Sequence, residues 1–99
     1  MAMQARISTI EGDGGKIDDA LKIINEKILP SLKDLDGFMA INFLADRAAG
    51  KLVAVGFWAS EAALEGSTDA VEPMRTEVAG AMDGKVASVE AYELAAQSW

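Results

Sequence analysis

The sequence predicts an α+β fold, a four-stranded antiparallel sheet with two main helices on one face, in the order β-α-β-β-α-β. Three observations lead there. Strand-like runs of alternating or continuous apolar residues occur at 3–11, 37–45, 51–59 and 85–95. Two stretches between them carry apolar residues at helical spacings of three and four. The middle two runs are joined only by a short polar link, which makes them a hairpin.

Each element has its own local reason. In the first strand Ala5, Ile7 and Thr9 share one side and Arg6, Ser8 and Ile10 the other. "GDGG" at 12–15 then breaks the chain. Ile17, Leu21, Ile24, Ile28, Leu32 and Leu35 form the apolar stripe of the first helix, in which Pro30 should kink the axis or end its regular part. "GFMAINFLA" and "KLVAVGFWA" flank "DRAAG", a turn closing on Gly50. Ser60 is a favourable N-cap and Glu61 suits a helix start, so a short helix should run to about Gly66. "STDAVEP" opens another, with Asp69 and Glu72 at capping-box spacing and Pro73 expected in or near the tolerant first turn. Val71, Met74, Val78 and Met82 continue its apolar face to Gly84. "KVASVEAYELA" returns to strand alternation, which completes a ferredoxin-like arrangement.

Composition limits what such a domain can do. The 99 residues form one domain, with an ordered core over 3–95 and a tail at 96–99. Apolar residues make up 51%, a high share for so small a body, and this favours a covered surface. Nine basic against sixteen acidic residues give a net charge of −7, which disfavours nucleic acid and anionic membranes as partners. Without cysteine there is no disulfide, thiolate metal site or thiol nucleophile. Without histidine the usual metal ligand and every serine–histidine relay are missing, so no metal and no cofactor are expected. The opening residues hold no long apolar segment, and the chain is expected to be cytoplasmic.

The hairpin strands carry a second message. Leu52, Ala54, Gly56 and Trp58 point one way, and Val53, Val55, Phe57 and Ala59 the other. Phe38, Ala40, Asn42 and Leu44 likewise oppose Met39, Ile41 and Phe43. Both faces are apolar, yet two helices cover only one. A second copy of the sheet is the simplest cover, so a homodimer with its sheets face to face is expected.

"LPSLKDLDGFMAINFLAD", followed by "KLVAVGFWASEAAL", resembles the antibiotic-biosynthesis-monooxygenase-like family of dimeric α+β barrels. The shared features are a proline late in the first helix, "GF" opening the second strand, and Trp58, Ser60, Glu61, Ala63 and Leu64 after the third. The likeness spans about Ala5 to Leu94. It implies a small-molecule pocket protein, with cofactor-independent monooxygenation of an aromatic or polyketide-like substrate as one of the family's activities. Trp58 matches the tryptophan that lines such pockets. Ala54 stands where an asparagine would be the useful partner, and the missing histidine removes haem degradation of the family's kind.

Candidate pocket residues are Trp58, Asn42, Tyr92, Phe38 and Arg75. Trp58 reads equally as core or as pocket wall. Asn42 is the polar residue of an apolar strand, Tyr92 offers a hydroxyl, and Phe38 shares the Asn42 parity. Arg75 reads as solvated or paired with Glu72 or Glu77, with a substrate anion as the alternative. Arg6 is expected to pair with Glu90 or Glu93, and Trp99 to fray unless it docks. No catalytic residue is identified. Two rival readings stay open: a non-catalytic ligand-binding or regulatory module like the ACT domains, with "GDGG" as its loop, and a dimer acting through protein contacts alone.

Overall fold

A computed structural model of the chain describes residues 3–98. Trp99 lies outside the described residues. Strand β1 (Gln4–Glu11) leads through a short 3-10 turn into α1 (Ile17–Ile23), a π turn (Ile24–Ile28) and α2 (Leu29–Leu32). The hairpin β2 (Phe38–Asp46) and β3 (Lys51–Trp58) follows, then α3 (Glu61–Gly66), α4 (Thr68–Ala81) and β4 (Lys85–Glu93). All pairings are antiparallel and the order is β2-β3-β1-β4, so the first and third strands are central. This is the expected α+β fold. No helix among the described residues is long and apolar enough to cross a membrane.

Pro30 neither breaks nor visibly ends the first helical run. Its ring crowds the carbonyl four residues back and it lacks an N–H. The chain answers with a wider turn, in which Leu29 N–H donates to the Ile24 carbonyl. Ile17, Ala20, Ile24, Ile28 and Leu32 remain buried along one stripe through that turn. They pack with Val78, Ala79 and Met82 of α4 onto Ile10 and Leu52 of the sheet, which forms the core.

The side of Phe38 and the start of α4 depart from expectation. Phe38 does not share the Asn42 side: a bulge between Phe38 and Ala40 turns Phe38 to the helix-facing side with Ile41 and Phe43. Pro73 sits inside α4 rather than in its first turn, because the helix starts at Thr68 and Asp69 is not its cap. Ser60 does cap α3, its Oγ accepting from Ala63 N–H at 3.1 Å, but Ser67 before α4 makes no cap bond and its hydroxyl is used elsewhere.

The turns at one end of the sheet meet backbone to backbone. Gly12 N–H donates to the Gly50 carbonyl and Asp13 N–H to the Met82 carbonyl, both at 2.8 Å. A Cβ at Gly12, Gly14, Gly50 or Gly84 would run into neighbouring main chain. Asp13 Oδ1 accepts from Gly15 N–H, and Lys16 pairs with Asp83 across the junction.

The sheet face away from the helices is open among the described residues. Register places Ala40, Phe57, Ala5 and Tyr92 in one row, Asn42, Val55, Ile7 and Glu90 in the next, and Leu44, Val53, Thr9 and Ser88 in a third. Leu44 and Tyr92 are 55% and 52% exposed there.

Candidate ligand pocket

The helix-facing side of the sheet has a dent in its middle, and the register shows why. Across β1, β3 and β2 one row reads Arg6, Gly56, Ile41 and the next Ser8, Ala54, Phe43. The central strand therefore offers its two smallest side chains side by side, between large Trp58 at one end and Leu52 at the other. Helix α4 bridges the dent with Val71, Met74, Arg75 and Val78, and Ile28 and Leu32 close it from the first helical run. The resulting cavity measures about 50 Å³.

Trp58 is 2% exposed and forms one wall. Its ring meets that of Phe38 in a T-shaped arrangement, at a centroid distance of 5.4 Å and 72° between planes. Phe38 thus braces the wall without lining the cavity. Arg6 lies with its guanidinium 5.7 Å from the centroid of the Trp58 ring, a cation–π contact.

Arg6 is the residue that sequence reasoning missed. It pairs with neither Glu90 nor Glu93. Both belong to β4 at the edge of the sheet, where Glu90 lies on the open face, opposite Ile7. Arg6 instead points under the helices, buried, and donates to Leu64 carbonyl at 2.7 Å, Ser67 Oγ at 3.0 Å and Thr68 Oγ1 at 3.3 Å. The Leu64 carbonyl lies near the C-terminal end of α3, where the helix carries partial negative charge. Burial, then the charge of Arg75, holds the Arg6 guanidinium below its ordinary pKa. It remains a cation at any working pH. The usable signal was its parity with Ser8 and Ile10, which placed it on the buried side.

Arg75 reaches the same cavity from α4. Its Nε donates to Ser8 Oγ at 3.1 Å, and burial lowers its pKa while Glu72 partly opposes the shift. Neither arginine forms a salt bridge among the described residues, where the ion pairs join Lys16 to Asp83, Lys27 to Glu77 and Arg47 to Asp18.

Asn42 and Tyr92 are not brought to this cavity. Both lie on the open face, where Tyr92 donates its hydroxyl to Glu90 at 2.6 Å and its pKa is raised by that bond. Of the five candidates, then, Trp58 and Arg75 line the cavity, Phe38 supports it, and two face away. No cluster of three metal-ligating side chains occurs among the described residues.

No family model matches the sequence. Two uncharacterised proteins of Mycobacterium tuberculosis, Rv2557 and Rv2558, are 32% and 30% identical over 92 and 91 residues. Those stretches are 93% and 92% of this chain but only 41% and 38% of the relatives, so the chain spans about two fifths of their length. Among solved structures, a monooxygenase from the gene ActVA-Orf6 of Streptomyces coelicolor, in complex with nanaomycin D, is similar at a TM-score of 0.68 and 13% identity, covering 99% of this chain and 89% of that one. A candidate antibiotic biosynthesis monooxygenase from Deinococcus radiodurans gives 0.73 at 11% identity, over 96% and 95%. The protein NE2512 of unknown function from Nitrosomonas europaea gives 0.73 at 19%, over 100% and 95%. At such identities the likeness is one of fold. The chain has the α+β fold of the antibiotic-biosynthesis-monooxygenase-like structures, the fold implied by the residues that resemble that family.

Proposed function

We propose that the chain is a small-molecule pocket protein of the antibiotic-biosynthesis-monooxygenase-like kind, paired as a homodimer through its open sheet faces, and that it oxygenates an aromatic, polyketide-like substrate without a cofactor. The observation that carries this reading is the cavity walled by Trp58 between sheet and α4, with Arg6, Ser8 and Arg75 as its polar groups. In such a reaction an activated C–H of the substrate loses its proton to water. The carbanion passes one electron to oxygen, and the radical pair joins as a peroxide anion, which takes a proton back from water to give a hydroperoxide. Loss of water from it leaves a carbonyl. The protein's part is to hold the ring flat against Trp58, exclude water, and stabilise the developing anion with fixed cations. No carboxylate lines the cavity, so the arginines act by easing deprotonation rather than by taking the proton.

The cavity of about 50 Å³ falls well short of the roughly 300 Å³ of an ordinary ligand pocket. A ring must therefore displace part of the lining, and the half-buried Met74, with a flexible unbranched side chain, is the part best able to give way. Oxygen uptake with a panel of anthrones and quinols tests the reaction, with Trp58 fluorescence as the binding readout. Turnover that falls when Trp58 becomes alanine supports it; no uptake and no fluorescence change with any of them refutes it.

The small volume also favours a second reading, a dimer that acts through protein contacts with its interior closed by side chains. A loop-binding regulatory module is disfavoured, since main chain of Gly50, Met82 and Gly84 fills the space around the glycine turn.

A further inference from the structure

Arg6 and Arg75 present a feature that packing does not explain. One comes from the sheet and one from a helix, and they converge on the same cavity. The chain holds sixteen acidic residues, yet none lines that cavity and none bridges to either arginine among the described residues. Two cations that share a partly desolvated space, Arg6 buried and Arg75 half-buried, repel each other and lose part of their hydration. Arg6 recovers part of that cost from the Leu64 carbonyl, two hydroxyls and the Trp58 face. Arg75 recovers far less. Its Nε is bonded to Ser8, while the two terminal nitrogens, the prongs that grip a carboxylate side by side, have no side-chain or main-chain acceptor among the described residues.

Size and shape narrow the occupant. About 50 Å³ is room for a carboxylate group or a few waters, at about 10–15 Å³ per water, and not for a ring. Trp58 offers a flat wall beside that space. Resting on the pocket reading above, we infer that the ligand is an aromatic carboxylic acid, bound as its anion: the carboxylate enters the cavity against Arg75, with Arg6 behind it, and the ring lies along Trp58 in the place vacated by Met74. The acidic exterior then works as a selectivity device. It repels anions in general, and only one that can stack and leave water at the same time is held.

Calorimetric titration of the full chain with 2-naphthoate and with the uncharged isostere 2-naphthamide tests this. The acid should bind at least about 10-fold more tightly than the amide. Arg75→Met should bring the acid to within about 2-fold of the amide, while Lys22→Met, which removes an exposed cation outside the cavity, should keep the preference to within about 3-fold. Equal affinities for acid and amide would overturn the inference while leaving the pocket reading standing. A preference that survives Arg75→Met would also overturn it. Binding of neither compound would remove both. Gly56→Leu, which fills the dent, should abolish binding of each, and retained binding in that variant would place the acid elsewhere and overturn the inference.

Discussion

Aspartate at Leu44 should separate the two copies of the proposed homodimer. Leu44 lies on the open face of edge strand β2, outside the core, with 55% of its surface exposed. Complete burial of a leucine side chain contributes about 1.5–3 kcal/mol, so covering the exposed half contributes about 1–1.5 kcal/mol. A two-fold interface uses each residue twice, which makes that about 2–3 kcal/mol per dimer. Aspartate forfeits this and adds desolvation of two carboxylates at several kcal/mol each if the interface stays shut. With a factor of ten for every 1.4 kcal/mol, the dimer should weaken by at least about 100-fold. Sedimentation velocity over a concentration series measures the shift, and far-UV circular dichroism checks that the monomer stays folded. A wild-type chain that sediments as a monomer at micromolar concentration would refute the pairing. A Leu44→Asp chain that dimerises as tightly as wild type would refute the use of this face.

Gly56→Ala should raise the melting temperature, because the new Cβ meets Trp58 Nε1 at 3.6 Å and Ile41 Cδ1 at 3.7 Å, ordinary contacts, and alanine favours a strand over glycine by about 0.5–1 kcal/mol. The same variant narrows the cavity and should weaken ligand binding, so a lower melting temperature would contradict the geometry. Gly37→Ala should destabilise by at least about 1–2 kcal/mol in urea melts, since Gly37 has φ +75°. Its Cβ would also overlap Ala63 Cβ, so adding Ala63→Gly should relieve the overlap and leave the backbone part. Arg6→Met should cost about 1–3 kcal/mol in the same assay, the lower end because Ser67 Oγ still donates to the Leu64 carbonyl at 2.7 Å and no acceptor is orphaned. Unchanged stability would mean that burial of the charge cancels its bonds. Tyr92 is the sole tyrosine, so its absorbance titration reports one group, whose midpoint should lie above the ordinary phenol value because of Glu90. A raised folded pKa contributes stability that is complete below the unfolded pKa and lost as pH rises through the folded one, so this contribution disappears only in the alkaline range. Glu90→Ala should lower the midpoint, and an unmoved one would dissolve the assigned bond.

Strand alternation and helical spacing carried the element order, because period two and period three to four survive in sequence wherever one face is buried. Where the structure departs, a local event resets the count. The bulge at Phe38 adds one residue and flips every parity before it, and nothing in "GFMA" marks that bulge. Pro73 looked like a helix opener because its tolerated place is the first turn, yet α3 and α4 follow each other across Ser67 with no room for a later start. Trp58 read equally as core or pocket wall, and Arg75, whose charge read first as solvated or paired with Glu72 or Glu77, forms no such ion pair among the described residues and lines the cavity instead. The cavity itself was not legible, since it arises from what Ala54 and Gly56 lack and from where α4 crosses them. Arg6 was misassigned by charge matching, although its neighbours Ser8 and Ile10 already shared its side.

The interlocked glycine turns clamp one end of the domain main chain to main chain, while at the other end the start of α4 is tied to the sheet by the side chain of Arg6. At the fixed end, main chain lies on main chain at Gly12, Gly50 and Gly84, and its amides should exchange with solvent only when the whole domain unfolds. At the far end stand Trp58 and α3, and there Pro73 provides no N–H for the Asp69 carbonyl, so the first turns of α4 are held less firmly than the last. A guest would enter from that side only when the Arg6 bonds to Ser67 and Thr68 let go, so the hold of Arg6, more than the resting volume of the cavity, would set how quickly anything gets in.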